Sequence, residues 1–465
     1  HVEILDETGR DRTGEFNIQD KDGVLYAFAK TVDTQIPATG ETVPGDPQPD
    51  DLKAYSEKTD KDYDPLKDPS IDQSLLGHTY QVVMPMTVTK VKDGHTVENT
   101  ATQVTNDKRD KTNTVTNPLK EINPTKDVTV KVGGDSIDGK SVYLNHTFLY
   151  RLDSSILPPD RAYQTVTDWG GTDQLNTEYD QYLGNWAVYA SRDLYRDGQM
   201  LAAKGEKIAG SGFDSSKFGG NLFTVDADDN GKVTADATQA YLDLVSTDNE
   251  HEAGWVLYLQ CKRIAVADEV PNTWTETING QPRESNKVVT KTPDMTPSIH
   301  LEKVDTPTLK QDGQEQADRD DPKQALKMDA DNIGITFIIT NTSKTDPATG
   351  DGAWYKASDL NLADSTIVGD AHVDMDSLTY PADWDTLVLK PGESVSVTGT
   401  LKGVKEGETH TDRAIVTGTP LVECAPSNGD PFNDKTDGGE DTDPEYSTGD
   451  VTEIDGKQLC ADTQT

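Results

Sequence analysis

Apolar and polar residues alternate along many short segments of this chain, with a period of two. Trp255, Leu257, Leu259 and Cys261 fall on one side of such a segment. Residues 126–132 place Lys126 on the same side as three valines, which are Val128, Val130 and Val132. Alternation over four to eight residues is typical of half-buried strands. The pattern predicts an all-β protein built from sandwich domains.

One strand signature occurs three times. VENTATQVTN at residues 97–106 recurs as VPNTWTETIN at residues 270–279, which aligns Asn99 with Asn272. A weaker third copy aligns Ala101 with Ala414. Proline-rich segments at residues 117–124 and 292–297 separate the copies. The repeats predict tandem domains at residues 1–118, 119–293 and 294–465, the first with a polar insertion near residues 45–75.

Composition narrows the classes of partner. The chain has 83 acidic and 43 basic residues, a formal net charge of -40, which disfavours direct contact with nucleic acid or anionic membranes. Hydrophobic residues make up 33% of the chain, and they form no apolar stretch of about 20 residues. We therefore expect no membrane insertion. Neither a signal peptide nor an anchoring tail is visible, so we expect a section of a longer secreted protein.

The three cysteines have different predicted roles. Strand parity places Cys261 in a core. Cys424 and Cys460 flank an acidic, glycine-rich insertion in the third domain. A disulfide between them requires an oxidising compartment and would contribute about 3–4 kcal/mol.

Lys126 and Asn272 suggest covalent chemistry. Both are polar residues at positions where strand parity predicts a core, Asn272 beside Trp274 and Ile278. Burial lowers the pKa of a lysine, and the neutral amine can attack an Asn carboxamide and release ammonia. Parity alone also allows a surface lysine whose stem lies along the strand.

Four segments of the chain carry a family resemblance. They are INPTKDVTV (122–130), FLYRLDSSILPPDRA (148–162), YDQYLGNWAVY (179–189) and LYLQCKRIAV (257–266). Together they resemble the C-terminal domains of the antigen I/II family of cell-wall-anchored adhesins. The resemblance spans residues 119–293 and extends to residues 76–118, whereas only an immunoglobulin-like pattern remains after residue 294. It implies tandem immunoglobulin-like β-sandwich domains with a Lys–Asn isopeptide bond, an Asp helper and a bound Ca²⁺.

Carried over by position, the resemblance makes Lys126 the amine and Asn272 the carboxamide. Asp173 is the implied helper, because it precedes the motif that begins at Asp180, and Asp168 is the runner-up. Calcium is the implied metal, with Asp173 and Asp180 as ligands. The family's acidic run after the helper is replaced here by Gln-Leu-Asn.

The other two copies differ in their reactants. Asn99 is an acceptor without a matching lysine in the chain, so its partner would be a lysine on another polypeptide or in a preceding segment. In the third domain the acceptor position is Asp412 and the lysine position is Ile299. We therefore expect no Lys–Asn bond there. Lys303 with Asp412 stays open as an alternative, because Asp can also be an acceptor.

Two further motifs have simpler interpretations. Residues 226–237 imitate an EF-hand loop, but the twelfth position is Ala237, and Asn230-Gly231 favours a hairpin turn. Acidic residues such as Asp153, Asp160 and those at 437–445 have no fixed separation that would indicate a glycosidase.

The sequence as a whole indicates a non-enzymatic adhesin stalk, extracellular and anchored to the cell wall through sequence outside this chain. Its expected partners are a host glycoprotein or another cell-surface receptor, and the remainder of the longer adhesin. Two alternatives remain. The domains would be spacers of a secreted enzyme, or their loops would recognise a glycan or host protein directly.

Overall fold

The computed structural model describes residues 1–21, 23–29, 75, 77–86, 88, 90, 94–105, 108–162, 165–305, 310–311, 314–315, 332–425, 432 and 451–461. The polar insertion predicted near residues 45–75 lies outside these ranges except for Leu75, and the acidic residues 437–445 lie outside them entirely. The chain divides into two compact units, His1–Glu121 and Ile122–Thr465. The all-β prediction is confirmed.

Unit 1 consists of antiparallel strand pairs, β1 with β4, β2 with β3, β5 with β8 and β6 with β7. Ile4, Tyr26 and Leu75 are buried, whereas every residue of β5 and β8 is exposed. The strands are β1 Glu3–Asp6, β2 Phe16–Lys21, β3 Val24–Ala29, β4 Tyr80–Val83, β5 Thr96–Asn99, β6 Thr102–Thr105, β7 Lys108–Lys111 and β8 Val115–Pro118, with a 3-10 helix at Thr13–Glu15.

Unit 2 begins with a sandwich, here called the middle domain. One sheet has the order β15-β12-β18-β10-β9, and the other has the order β16-β17-β11-β20-β21. The strands are β9 Thr125–Thr129, β10 Thr147–Asp153, β11 Trp169–Gln174, β12 Asp180–Ala190, β13 Leu194–Arg196, β14 Gln199–Ala202, β15 Lys207–Gly210, β16 Phe223–Ala227, β17 Lys232–Ala237, β18 Trp255–Arg263, β19 Ala267–Asn272, β20 Trp274–Ile278, β21 Gln281–Glu284 and β22 Val288–Thr292. Helix α1 spans Gln239–Thr247, and a 3-10 helix spans Ser216–Phe218.

Aromatic residues fill the space between these two sheets. Trp255 lies 5.8 Å from Trp274 and 6.2 Å from Trp169 between ring centroids. Helix α1 adds Tyr241 to the same core, with its ring 4.7 Å from that of Phe223. Burial of such large rings is a main source of stability in a sandwich, and it fixes the strands that carry the site described below.

Two local predictions have different outcomes. Strands β16 and β17 form the hairpin predicted at Asn230-Gly231, and a Cβ on Gly231 would lie 2.4 Å from Thr177. The predicted alternation from Lys126 to Val132 is wrong after Val128. Strand β9 ends at Thr129, and Val130 is 47% exposed.

The third domain, also in unit 2, has a four-stranded sheet of order β23-β26-β31-β29, a β28-β32 pair and a β33-β35-β34 sheet. Phe337, Leu362 and Val397 lie in its core. The strands are β23 Ile299–Asp305, β24 Lys310–Gln311, β25 Gln314–Glu315, β26 Asn332–Asn341, β27 Tyr355–Lys356, β28 Asn361–Val368, β29 His372–Val373, β30 Val388–Leu389, β31 Ser394–Lys402, β32 Thr411–Thr417, β33 Leu421–Glu423, β34 Thr452–Ile454 and β35 Lys457–Ala461. Short 3-10 helices span Ala357–Asp359 and Met375–Ser377.

Covalent and non-covalent contacts support the third domain. A disulfide joins Cys424 to Cys460, with 4.9 Å between their Cα atoms. Tyr143 of the middle domain donates a 2.9 Å hydrogen bond to Asp351 of the third. Phe432 lies in an apolar cluster on the outer face of the first middle-domain sheet and is 5% exposed. No helix within the described ranges is long and apolar enough to cross a membrane.

Candidate isopeptide site

Lys126 lies on β9, an edge strand of the first sheet, where it is opposite Leu152 of β10. The Asn286 side chain accepts a 2.8 Å hydrogen bond from the Lys126 backbone N–H and donates a 2.9 Å bond to its carbonyl. Trp274 Nε1 donates to the neighbouring Thr125 carbonyl at 3.0 Å. These contacts position the lysine backbone at the junction of the two sheets, with its side chain fully buried.

Asp173 faces Lys126 from the other sheet. It lies on β11 opposite Trp274, and its carboxylate accepts a hydrogen bond from Lys126 Nζ. The Asp173 side chain is only 1% exposed. Trp274 can lie against β11 because residue 171 is glycine, and a Cβ there would be 2.6 Å from the indole ring. Gly171 thus lets the aromatic core approach the strand that carries the carboxylate.

Asn272 completes the group. It is the last residue of β19, two positions before Trp274, and it is 6% exposed. Its side chain is close enough to the Asp173 carboxyl to affect the pKa of that group. Neither atom of its carboxamide has a partner with normal hydrogen-bond geometry among the described residues. A buried amide without such partners is costly, which makes Asn272 an unusual residue in this core.

Burial changes the protonation of the pair. Loss of water lowers the pKa of Lys126, although the nearby Asp173 carboxylate opposes that effect. The same loss of water raises the pKa of Asp173, against the opposing influence of Lys126 and Asn272. Both shifts favour the neutral amine and the neutral acid over the ion pair. The Lys126 amine also lies 4.5 Å from the centroid of the Tyr150 ring.

Asp180 belongs to a second buried network. It accepts hydrogen bonds from Arg263 Nε and from the Tyr150 hydroxyl, both at 2.8 Å. The remaining nitrogens of Arg263 donate to Thr290 and Thr292 at 2.6 and 2.8 Å. The two side chains of the Arg263–Asp180 pair are fully buried, so each charge is compensated within the protein.

The calcium ligands implied by the resemblance do not fit this arrangement. The Asp173 carboxylate faces Lys126, and the Asp180 carboxylate faces Arg263. Ca²⁺ requires six to eight oxygen ligands. In the part of the chain that the structure describes, no group of three or more His, Cys, Asp or Glu side chains is arranged to hold a metal ion. Calcium therefore stays an untested prediction, and we derive no step from it.

Two other predicted residues lie in different surroundings. Asp168, the runner-up helper, accepts a 3.1 Å hydrogen bond from the Gly280 N–H and supports the turn after β20. Asn99, the predicted orphan acceptor, is exposed on β5 opposite Val115. Its proposed lysine partner stays a prediction.

Two buried charges were not singled out from the sequence. Arg263 follows Cys261 on the inward side of β18, and Glu276 follows Trp274 on the inward side of β20. Glu276 accepts hydrogen bonds from Ser155 N and Trp169 Nε1, at 2.9 and 2.8 Å. The same parity that identified Lys126 and Asn272 marks both positions.

Comparisons with known proteins agree with this architecture. Residues 123–293 match the family described as the cell surface antigen C-terminus, and residues 1–119 match the cell surface antigen I/II C2 terminal domain. The protein named Aggregation substance from Enterococcus faecalis is 36% identical over 225 residues, which are 47% of this chain. The chain spans only 16% of that relative.

Two streptococcal structures are among the solved structures that the chain matches. The C-terminal domain of the Streptococcus pyogenes antigen I/II-family protein AspA is 24% identical, with a TM-score of 0.44, over 62% of this chain and 78% of that one. The C-terminal domain of Streptococcus agalactiae BspA is 19% identical, with a TM-score of 0.43, over 63% and 80%. The two family matches together cover more than half of the chain. The chain therefore belongs to the cell surface antigen I/II family, with C-terminal domains of that family at residues 1–119 and 123–293.

Proposed function

We propose that this chain is part of an extracellular adhesin stalk whose middle domain is closed by an isopeptide bond between Lys126 and Asn272. The observation that carries the proposal is the buried group of one amine, one carboxyl and one carboxamide. Lys126 and Asp173 are in contact with almost no exposure, and the Asn272 amide lies beside Asp173 with no normal hydrogen-bond partner in the described part of the chain. Such a group is costly as a resting arrangement and suited to reaction.

The reaction needs no external reagent. The neutral Lys126 Nζ attacks Asn272 Cγ, and a new N–C bond forms as the Cγ–Nδ2 bond breaks. Asp173 polarises the carboxamide as an acid, accepts a proton from the attacking amine and returns one to the leaving nitrogen. Ammonia leaves, and Asp173 ends in its starting protonation state. Fixed proximity makes the step unimolecular, and the buried amine is the nucleophile.

The position of the bond suits a structural role. Lys126 lies on the first strand of the middle domain, and Asn272 lies near its end. A bond between them encloses residues 127–271, which include the paired central strands β10 and β18. Opening of this domain would then be limited to its ends, so resistance to proteases and to prolonged tension should increase.

The attachment role rests on relatives. Membership of the cell surface antigen I/II family supports a location outside the cell, and the name Aggregation substance supports a role in attachment between cells. We propose a host glycoprotein or another cell-surface receptor as the partner, with the cell-wall anchor supplied by sequence outside this chain. An attachment assay would test whether the bond matters for adhesion. Cells that display the whole surface protein with Asp173→Asn would be compared under flow with cells that display it with Asp168→Asn.

Intact mass of the purified chain tests the bond directly. Once the disulfide is reduced, this bond should lower the mass by one ammonia relative to the sequence, and digestion should yield a branched peptide that contains Lys126 and Asn272. Lys126→Ala and Asn272→Ala should each abolish the loss of ammonia. Lys140→Ala, at an exposed lysine, should leave that loss unchanged. A wild-type chain that retains the ammonia and yields only linear peptides would refute the proposal.

A further inference from the structure

The third domain holds a lysine between two carboxylates. Lys303 of β23 donates a 2.7 Å hydrogen bond to Asp364 of β28 and also contacts Asp412 of β32. Asp364 is 1% exposed at its side chain, and Lys303 and Asp412 are 19% and 16% exposed. His410 lies 2.9 Å from the Asp412 carboxylate. The four side chains form a compact, largely buried group.

The strand register of this group is the same as in the middle domain. There, Asp173 is opposite Trp274 in the β11–β20 pair, and Asn272 lies two residues before Trp274. In the third domain, Asp364 is opposite Ala414 in the β28–β32 pair, and Asp412 lies two residues before Ala414. The acid and the acceptor therefore have equivalent positions in the two domains.

Lys303 has the same place in the third domain that Lys126 has in the middle domain, although the repeat alignment does not pair the two residues. The repeat alignment points to Ile299, but Lys303 lies four residues later on the same strand. A shift of four keeps the side chain on the same face, because successive residues of a strand alternate. Each lysine lies on the first strand of its domain, and each amine lies over an aromatic ring, at 5.5 Å from Phe337 and 4.5 Å from Tyr150.

We propose that Lys303 and Asp412 form a second intramolecular isopeptide bond, with Asp364 as the group that moves protons. The Lys303 ammonium gives one proton, through Asp364, to the Asp412 carboxylate, which leaves a neutral amine and a neutral acid. Lys303 Nζ then bonds to Asp412 Cγ, and a Cγ–O bond breaks. The leaving oxygen takes its own proton and one from the amine, so one water leaves and Asp364 is unchanged.

The surroundings support these roles. Burial raises the pKa of Asp364, so this carboxyl takes up a proton more readily than an exposed aspartate does. Burial also acts to raise the pKa of Asp412, but hydrogen bonds from Lys303 and His410 hold it below its usual value. Asp412 is thus the carboxylate that stays ionised until it receives the ammonium proton through Asp364. The contacts of Lys303 with Asp364 and Asp412 lie within the third domain, so the bond proposed here does not require that the middle-domain bond forms.

Mass separates the two bonds, because this one releases water and the other releases ammonia. In the reduced full-length chain we expect loss of one water, and a digest should contain a branched peptide joining Lys303 to Asp412. Trypsin should not cleave after the amidated Lys303. Lys303→Arg and Asp364→Asn should abolish the water loss, while Lys402→Arg, at an exposed lysine that contacts Asp374, should leave it intact.

Asp412→Asn supplies a sharper test. An Asn at the acceptor position should react with release of ammonia, so the variant should lose one ammonia where the wild type loses one water. A wild-type chain with no water loss and linear peptides on both sides would show that the group is only a set of ion pairs and would overturn the proposal. A branch at Asp364 would overturn the assignment of the acceptor.

Discussion

Replacing Asp173 by Asn should leave the middle domain folded but without its cross-link. Asn cannot serve as a proton shuttle between the amine and the leaving nitrogen, so the Lys126–Asn272 bond should not form. The variant should therefore retain the ammonia that the wild type loses. Asp168→Asn is the matched control, because the Asp168 carboxylate accepts hydrogen bonds at a turn, from the Gly280 N–H and the Thr167 hydroxyl, and an Asn side chain can still accept the bond from Gly280.

The expected loss of stability follows from the loop that the bond closes. For a cross-link between residues 126 and 272, the chain-entropy relation gives about 5 kcal/mol of stabilisation through the unfolded state. For a domain of this size, that corresponds to a Tm lower by about 10–20 °C. Burial of Trp169, Trp255 and Trp274 makes tryptophan fluorescence a suitable probe of this domain.

Asp173→Asn also removes the contact with Lys126, so a second variant is needed. Asn272→Leu retains the Lys126–Asp173 pair but removes the acceptor. Both variants should lose most of the stabilisation, and the difference between them measures the local effect of each substitution. Equal Tm values for the wild type, Asp173→Asn and Asn272→Leu, together with confirmed ammonia loss in the wild type alone, would refute the loop-entropy argument.

Three further predictions concern other parts of unit 2. Arg263→Met should destabilise the middle domain by about 3–5 kcal/mol in urea unfolding, because it leaves the buried Asp180 carboxylate unpaired. A loss of stability no greater than that caused by the same substitution at an exposed arginine would contradict this. Cys424→Ser with Cys460→Ser should cost about 4 kcal/mol, seen as a lower Tm of the third domain that reducing agent does not lower further. Because burial lowers the pKa of Lys126, the rate of ammonia loss during refolding should begin to fall at a lower pH than the pH at which an exposed lysine titrates. Time-resolved mass measurements would check this, and a fall that begins at the pH of an exposed lysine would contradict it.

Much of the middle-domain site was predictable because its reactants lie on regular strands. Alternation places Asn272 with Trp274 and Ile278 on an inward face, and all three are buried. Lys126 is buried, as the alternation predicted. The alternation fails beyond Val128 because β9 ends one residue later. The resemblance supplied Asp173, since nothing in the local pattern separates it from Asp168. Only tertiary packing distinguishes an Asp opposite Trp274 from one at a turn.

The third-domain group was harder to predict. A fixed repeat offset assumes equal strand lengths, and it pointed to Ile299. The structure instead places Lys303, kept open above as an alternative, in contact with Asp412. Asp364 has no counterpart in the aligned segments, because its strand pairs with β32 across the sheet and far along the chain. Strand register, which the structure supplies, was the missing information. Likewise, the charges of Arg263 and Glu276 were visible in sequence, but their hydrogen-bond partners come from other strands.

Contacts between the middle and third domains help to set the angle between them, in addition to the proline-rich segment at residues 292–297. Tyr143 bonds to Asp351, and Phe432 lies in a cluster with Tyr189 and Tyr258 on the face of the middle domain. Because these contacts orient the two domains, the connecting peptide is no longer the sole determinant of the angle between them. Changes in the length or composition of this segment should therefore leave the interdomain geometry in place, provided that Phe432 and the face that it packs against are kept.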